Sequence, residues 1–301
     1  MGKDTLNNKF FYINHLLILV YIIGLNFVYF ISPIFLKHTE IFLWIPLLGI
    51  FSNPHWVLIH EAIHGVLFKN KSLNDFWGRV LSIYFGSPFR ILQGGHLLHH
   101  AYNRTKAEVT DIYNPKETSK AVAIIRYYYW LLGGLYITEL LVNFIALLPK
   151  SVFEKLKIYM KNRSIHKYNY ASFILLNWKE TKMDGIINIL FYSIIFYLYG
   201  EFWYVFVGFL LVRGFMISMM DNVFHYGTEP NQISFGYNLK TLRLLEIYLL
   251  NANYHGFHHL KPKIPWYLLK TEWLKTNSNY HGNFAKQYFS QLKGPIPTPN
   301  L

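Results

Sequence analysis

The sequence predicts an all-α fold, a polytopic membrane helix bundle of about four spans. Apolar residues make up 52% of the chain and charged residues only 15%, whereas an average soluble domain has about 25% charged residues. Several apolar runs also reach the length of about 20 residues that a helix needs to cross a bilayer. Basic residues concentrate between these runs, a pattern typical of membrane proteins.

Four apolar runs define the predicted spans. The run over residues 10–31 predicts a retained N-terminal anchor, because no small-residue cleavage pattern follows it. A second run covers residues 41–59, a third 121–148 and a fourth 186–220. The fourth is long enough for two short spans, and we place the turn between them at "YGEF", residues 199–202.

The distribution of basic residues predicts the topology. Except for Lys37, Arg126 and Arg213, the 29 lysine and arginine residues lie in four regions outside the apolar runs, and the positive-inside rule places those regions in the cytoplasm. Residues 121–148 must then cross an even number of times, which favours a re-entrant helical hairpin that turns at "LLGGLY". A single ordinary span is the alternative. We expect a multi-pass integral membrane protein of a bacterial inner membrane or the endoplasmic reticulum.

The amino-acid composition restricts the metal ligands, nucleophiles and partners that the chain can use. The chain has no cysteine, which excludes disulfides, thiolate metal sites and cysteine nucleophiles, so any metal must bind to histidine, carboxylate or water. The net charge of +13 favours a face turned to anionic membrane lipid, and we expect no nucleic-acid partner. No linker separates a second folded region, so we predict one domain over residues 1–301.

Histidines are clustered in three short motifs. Their members lie three or four residues apart, a spacing that places the imidazoles on one face of a helix. Each cluster can therefore aim two or three nitrogen atoms at one point. The clusters are His60 and His64 in "HEAIH", His96, His99 and His100 in "HLLHH", and His255, His258 and His259 in "HGFHH".

The number of clustered histidines predicts two metal ions. Eight clustered imidazoles exceed the four ligands of a single tetrahedral zinc, whereas two metals with four or five nitrogen ligands each use them all. His225 in "DNVFHYG" directly follows the last apolar run and is a ninth candidate, with a hydrated interfacial histidine as the alternative. These positions all fall at the predicted cytoplasmic face, where a helical cap would hold both metals. We assign no role to the isolated histidines His15, His38, His55, His166 and His281.

The three motifs together resemble the histidine boxes of a known group of enzymes. "HEAIH", "HLLHH" and "NYHGFHHLKPKIPW" are similar to the three boxes of the integral-membrane fatty acid desaturase and hydroxylase superfamily. The similarity extends over about residues 41–270. It implies a non-haem di-iron centre at the cytoplasmic face, with O2 as co-substrate and a fatty acid or acyl lipid as substrate. Desaturation is the commonest reaction in this group. Hydroxylation and oxidative decarboxylation to a terminal alkene stay open.

The electrons for such a reaction must come from another protein. The chain contains no region that resembles cytochrome b5, and ferredoxin-type centres need the cysteines that it lacks. We therefore expect a separate ferredoxin- or cytochrome-type electron donor with its reductase. The basic cytoplasmic face would attract an acidic donor.

Two other classes of protein are alternatives. "HEAIH" also satisfies the H-E-x-x-H signature of zinc metalloproteases, in which Glu61 would be the general base, but a protease leaves the other clustered histidines without a purpose. A metal or haem carrier is the third class, although haem needs only one or two axial histidines. We name no catalytic residue beyond the metal ligands.

Some polar residues near the motifs are candidates to orient the ligands. Metal-binding histidines usually donate their second N–H to a carboxylate or a carbonyl. The candidates are Glu61, Glu108, Asp111, Asp221, Asn222, Asn251 and Asn253. Three further ionisable residues lie within apolar runs, where such groups are costly and often functional. They are Arg126, Glu139 and Arg213.

Overall fold

The computed structural model describes residues 3–35, 41–106, 108–162 and 170–298. These residues are mostly helical, as the sequence predicts. The chain divides into two compact units. Unit 1 consists of Met1–Gln93 and Glu139–Arg213, and unit 2 of Gly94–Thr138 and Gly214–Leu301. The prediction of a single domain stays a prediction. His38 and His166 lie outside the described residues.

Helices account for most of both units. The α-helices are α1 Lys3–Asn26, α2 Ile41–Leu47, α3 Ser52–Ile63, α4 Lys71–Phe85, α5 Phe89–Tyr102, α6 Lys120–Tyr129, α7 Leu135–Ala146, α8 Lys150–Asn162, α9 Tyr170–Leu176, α10 Trp178–Tyr199, α11 Trp203–Val223, α12 Arg243–Tyr248, α13 His255–Leu260, α14 Trp266–Leu274 and α15 Phe284–Ser290. Four two-residue strands form two parallel pairs within unit 2. These are β1 Ile112–Tyr113 with β4 Ile296–Pro297, and β2 Leu239–Lys240 with β3 Gly282–Asn283.

Three helical segments of the described chain are long and apolar enough to cross a membrane. They are Lys9–Phe35, Lys120–Ala146 and Trp178–Val223. The third includes the predicted break, because α10 ends at Tyr199 and a 3-10 turn from Gly200 to Phe202 precedes α11. The predicted span over residues 41–59 is not among the three. It forms α2 and the start of α3, with a 3-10 turn between them. The number of spans therefore stays a prediction.

The segment from Lys120 to Ala146 is broken where the sequence predicts a turn. A five-residue π-helix, Trp130–Gly134, joins α6 to α7, and Leu132 and Gly133 have non-helical backbone angles. Gly133 has φ of 123°, a conformation that a side chain at Cβ disfavours. The break is thus a property of the "LLGG" sequence. A return of the chain to the same membrane face stays a prediction.

Unit 1 fixes the helix that carries "HEAIH". Helices α3 and α4 pack closely, and a Cβ at Gly78 would lie 2.7 Å from the ring of Phe89 and 3.0 Å from Ala62. Asn74 on α4 donates a hydrogen bond of 2.9 Å to the carbonyl oxygen of Ala62. This bond holds α4 against the last turn of α3, which lies between His60 and His64.

Unit 2 has a small apolar core that joins the end of α11 to the segment before α13. Its buried members are Met220, Val223, Phe224, Leu239, Leu249 and Phe284. Phe224 precedes His225 in the chain, and its ring stacks on that of His255 with centroids 4.7 Å apart. The core therefore determines where the histidines of α13 and the loop after α11 lie.

Candidate metal centre

Three histidines of unit 2 form a first group, here called the His96 group. It consists of His96 and His100 on α5 and His258 on α13. The Nε2 atom of His100 lies 3.0 Å from Nε2 of His96 and 3.1 Å from Nε2 of His258. Three ring nitrogens thus converge on one region.

Four other histidines of unit 2 form a second group, here called the His99 group. Its members are His99 on α5, His225 after α11, and His255 and His259 on α13. The Nε2 atom of His259 lies 3.2 Å from that of His99 and 3.0 Å from that of His255. His225 and His255 have their Nε2 atoms 2.8 Å apart.

The two groups divide two of the motifs, so that two imidazoles of each motif aim at one point, within the predicted two or three, and the third aims at the other point. His99 belongs to a different group from His96 and His100, and His258 belongs to a different group from His255 and His259. The reason is helical geometry, because residues four apart differ by about 40° around an α-helix and residues three apart by about 60° in the opposite sense. The groups are adjacent, since the rings of His100 and His259 stack with centroids 4.3 Å apart.

The arrangement of nitrogen atoms fits metal ions better than hydrogen bonds among histidines. Nε2 of His259 has two other Nε2 atoms at hydrogen-bond distance, those of His99 and His255. One nitrogen of a neutral imidazole offers either one proton or one lone pair, so it cannot serve both neighbours. Two nitrogens bound at right angles to a metal about 2.1 Å away lie about 3.0 Å apart. The observed separations are close to that value.

Burial keeps two candidate ligands of the His99 group neutral. It lowers the pKa of His225 and of His259 well below the ordinary histidine value, and the neighbouring histidines lower both further. A metal binds only the neutral imidazole. Among the described residues, neither Nδ1 atom has a hydrogen-bond partner. Both imidazoles are therefore in the neutral form that can bind a metal at neutral pH.

Glu108 orients a third candidate ligand of this group. Its carboxylate accepts a hydrogen bond of 2.7 Å from Nδ1 of His99. Burial alone would lower the pKa of His99, but the charge and the hydrogen bond of Glu108 outweigh it and raise that pKa. A carboxylate on Nδ1 leaves the Nε2 lone pair pointing at the metal site and strengthens the ligand. Glu108 therefore occupies the position expected of an orienting residue.

Several other candidate orienting residues bond elsewhere in unit 2. The buried carboxylate of Asp111 pairs with the Arg104 guanidinium and accepts from the N–H of Gly227. The amides of the asparagine candidates donate to the protein framework. Asn222 bonds to Gln291, Asn251 to the carbonyl of Trp266, and Asn253 to the carbonyl of Leu239. These residues hold the segments that carry the ligands.

Asp221 has a different environment. With Ser218, Tyr127 and other residues it lines a cavity of about 50 Å³ within unit 2. It also interacts electrostatically with His99 and Glu108. In unit 1, Glu61 is buried, with 3% of its surface exposed.

The glycine of "HGFHH" is a structural requirement that the sequence interpretation missed. A Cβ at Gly256 would lie 2.0 Å from the backbone oxygen of Gly236. The next residue, Phe257, donates its N–H to Oδ1 of Asn238 at 2.9 Å. These contacts fix the first turn of α13 and with it His255. The glycine between the candidate ligands His255 and His258 was the feature of the sequence that could have indicated this close contact.

The "HEAIH" pair belongs to unit 1. His60 and His64 lie one turn apart on and just after α3, with ring centroids 4.7 Å apart, and His64 is buried. The spacing therefore directs both imidazoles to the same side of α3, as predicted. Participation of the pair in a metal site stays a prediction.

Comparison with known proteins identifies the family. The family model described as "Fatty acid desaturase" matches residues 39–287. The chain belongs to the fatty acid desaturase family. This confirms the resemblance carried by the histidine boxes, and the matched region contains all three boxes and His225. The helices long enough to cross a membrane agree with membership in this family.

One curated relative has the name of a desaturase. The omega-3 fatty acid desaturase fat-1 of Caenorhabditis elegans is 33% identical over 82 residues. The aligned part is 26% of this chain and 20% of that protein, so the chain matches about a fifth of the relative's length. No solved structure matches the chain.

Proposed function

We propose that this protein is a membrane-bound non-haem di-iron oxidase that desaturates the acyl chain of a fatty acid or acyl lipid in an O2-dependent reaction. The observation that carries the proposal is the convergence of seven imidazoles of unit 2 into two adjacent groups. Family membership and a desaturase relative support the choice of reaction.

The proposed ligands divide between two iron ions. The His99 group supplies four imidazoles to one iron. The His96 group supplies three to the other, and we propose that His60 and His64 complete its ligand set. When bound, two irons in histidine sites supply the redox chemistry for activating dioxygen and for removing hydrogen from an unactivated C–H bond.

The residues of the chain prepare this site in three ways. Burial keeps His225 and His259 neutral, so that no proton competes for their lone pairs. Glu108 holds the proton of His99 on Nδ1 and thereby fixes the tautomer that binds metal through Nε2. The close approach of Gly256 to Gly236 holds α13 rigidly against the preceding loop. Rigid ligands favour a defined coordination geometry.

The sequence supports the proposed electron supply and location. A separate ferredoxin- or cytochrome-type donor with its reductase delivers electrons, and the net charge of +13 favours an acidic donor. The metal site faces the cytoplasm, on the side of the basic loops. The substrate reaches it from the membrane lipid.

The alternative functions are two other oxidations at the same site and a protease that would use only some of its histidines. Hydroxylation or oxidative decarboxylation would employ the same two irons and differ only in product. A zinc protease would use "HEAIH" alone and would leave the seven convergent imidazoles of unit 2 without a purpose. The desaturase relative supports desaturation over the other two oxidations.

The decisive experiment is product analysis on the full chain. Iron-loaded protein in lipid nanodiscs, given a competent donor and O2, should convert a deuterated C16 or C18 acyl lipid into a product that has lost two hydrogens. The control is His259→Ala, which should give no product. A product with one added oxygen, or an alkene one carbon shorter, would replace desaturation by the corresponding alternative. One zinc per chain with full activity in His259→Ala would contradict the di-iron proposal.

A further inference from the structure

Unit 1 contains a cavity of about 370 Å³ between α1, α3 and α11. This volume lies in the range of about 300–1,000 Å³ typical of small-molecule sites. Most of its lining is apolar, and the polar side chains that line it include Arg213, His55 and Ser52. The apolar lining includes Val20, Leu25, Phe27, Leu48, Phe51 and Phe209. The described residues that line it include no carboxylate.

Arg213 brings a positive charge to the wall of this cavity. Its side chain is fully buried on a segment long enough to cross a membrane. Nε lies 3.2 Å from the hydroxyl of Ser52, and Nη1 donates to the Tyr29 hydroxyl at 2.8 Å. The guanidinium also lies 4.7 Å from the centroid of the Phe209 ring. An ionised group in apolar surroundings is costly and marks a functional site by default.

His55 presents an acceptor to the same cavity. Its Nε2 lies 3.0 Å from the carbonyl oxygen of Leu81. A carbonyl only accepts, so Nε2 carries the proton and Nδ1 carries the lone pair. His55 is 1% exposed, and its Nδ1 has no hydrogen-bond partner among the described residues. A buried acceptor of this kind requires a donor.

The cavity opens at the surface of the helices. Val20 and Phe51 on its rim are each 57% exposed, and Val20 lies on a candidate span. A lipid-facing opening admits molecules with an apolar tail. The helical position of Gly24 leaves space inside, because a Cβ built there has no heavy atom within 4 Å.

We propose that this cavity binds an acidic single-chain amphiphile taken from the bilayer. The ligand carries a carboxylic acid or a phosphate monoester. An oxygen of this head group accepts a hydrogen bond from Arg213, and the O–H of the protonated carboxylic acid or of the phosphate monoanion donates a hydrogen bond to Nδ1 of His55. Its tail lies along the apolar wall. Ser52 and His55 belong to the first turns of α3, and His55 lies about 7.5 Å along the helix from His60. The site is independent of the metal ligands and does not rest on the proposed reaction.

The test measures ligand binding to the full chain in neutral phosphatidylcholine nanodiscs. The probes are palmitic acid, lysophosphatidic acid, methyl palmitate and hexadecanol. Methyl palmitate lacks the acidic O–H that both acids can carry. We expect at least one acid to bind about tenfold or more tightly than methyl palmitate and hexadecanol, and the preferred acid identifies the head group. Equal binding of all four probes, or binding of none, would overturn the proposal.

The matched variants are Gly24→Leu and Ile23→Leu. Gly24→Leu fills the cavity without a backbone collision and should weaken binding of the preferred acid by about tenfold or more. Ile23 is 67% exposed and does not line the cavity, so Ile23→Leu should bind like the wild type. Unchanged binding by Gly24→Leu would place the amphiphile elsewhere and contradict the proposal.

Two further measurements keep the result separate from the proposed function. Binding should persist in metal-stripped protein and in His259→Ala, which lacks a proposed ligand. Arg213→Lys retains the charge and should bind the acid, whereas His55→Phe removes the acceptor and should reduce the preference for the acid over its ester. Thermal unfolding without ligand checks that each variant is folded. Loss of binding on metal removal would contradict an independent site.

Discussion

The His99 group and the His96 group differ in whether unit 2 alone supplies all of their proposed metal ligands. The four imidazoles of the His99 group all come from unit 2, and Glu108 orients one of them. The His96 group has three imidazoles in that unit, and its remaining ligands are proposed to come from α3. A centre whose ligands share one compact unit is preorganised by that unit alone. The two proposed metal sites should therefore respond differently to substitutions in each part of the chain.

The largest effect is expected for His259→Ala. Nε2 of His259 is close to both His99 and His255, and its ring stacks on His100 of the other group. Loss of this imidazole should reduce turnover by about 100-fold or more, beyond the range typical of a residue that only orients a ligand. The measurement is acyl-lipid turnover with iron content by mass spectrometry. His15→Ala, which lies outside both groups, should keep full activity.

A pair of single substitutions tests the difference between the groups directly. His225→Ala should empty the His99 group and leave about one iron per chain, and His60→Ala should do the same for the His96 group. The two variants should have different residual spectra, because different irons remain. Two irons retained in His60→Ala would mean that α3 does not complete the second site.

Gly256→Ala tests how far the fold of unit 2 supports both groups. The new Cβ would lie 2.0 Å from the Gly236 oxygen, which is a backbone atom, so α13 must move. We expect a loss of about 3 kcal/mol or more of stability, at or above the usual cost of overpacking, and loss of iron from both groups. The matched control is Gly95→Ala on α5, where a Cβ meets no heavy atom within 4 Å. If both variants melt alike, the close approach does not restrain α13.

The sequence predicted these two groups only in part, because some of their features depend on contacts between segments that are distant in the chain. Motif spacing predicted six of the seven convergent imidazoles of unit 2, and the position of His225 after the last apolar run predicted the seventh, but neither predicted how they divide into two groups. Helical geometry turns His99 and His258 away from the other histidines of their motifs, but which histidines each of them then meets depends on how α5 and α13 pack. The break at Gly133 and the end of α10 at Tyr199 followed from local sequence. The role of Asn238 did not, because it bonds to a residue distant in the chain.

Glu108→Gln is expected to have an intermediate effect confined to the His99 group. The amide can still accept a hydrogen bond from His99, but it lacks the charge that strengthens the ligand. Such changes typically cost about 10- to 100-fold in metal affinity or activity. Competition with a chelator should release one iron earlier than in the wild type and leave the other unchanged. Simultaneous release of both would contradict separate sites.

The smallest effect is the pH dependence of the metal-free protein. The pKa of His225 and of His259 is lowered in the folded state, so below about pH 6.5 the unfolded chain binds more protons at these positions than the folded chain. Each residue should then lower the free energy of unfolding by up to about 1.4 kcal/mol per pH unit of acidification. His99 opposes them, because its pKa is raised and its stabilising contribution is fully present below about pH 6.5.

Glu108→Gln separates these opposing contributions. Without the carboxylate, burial should lower the pKa of His99 as well, so that this residue joins His225 and His259 in destabilising the folded state at acidic pH. The melting temperature of the metal-free variant should therefore fall more steeply than that of the wild type between pH 7.5 and pH 5.5, since a third histidine now resists protonation in the folded protein. Parallel curves would show that Glu108 does not hold the proton of His99, and the contrast in preorganisation between the two groups would lose one of its supports.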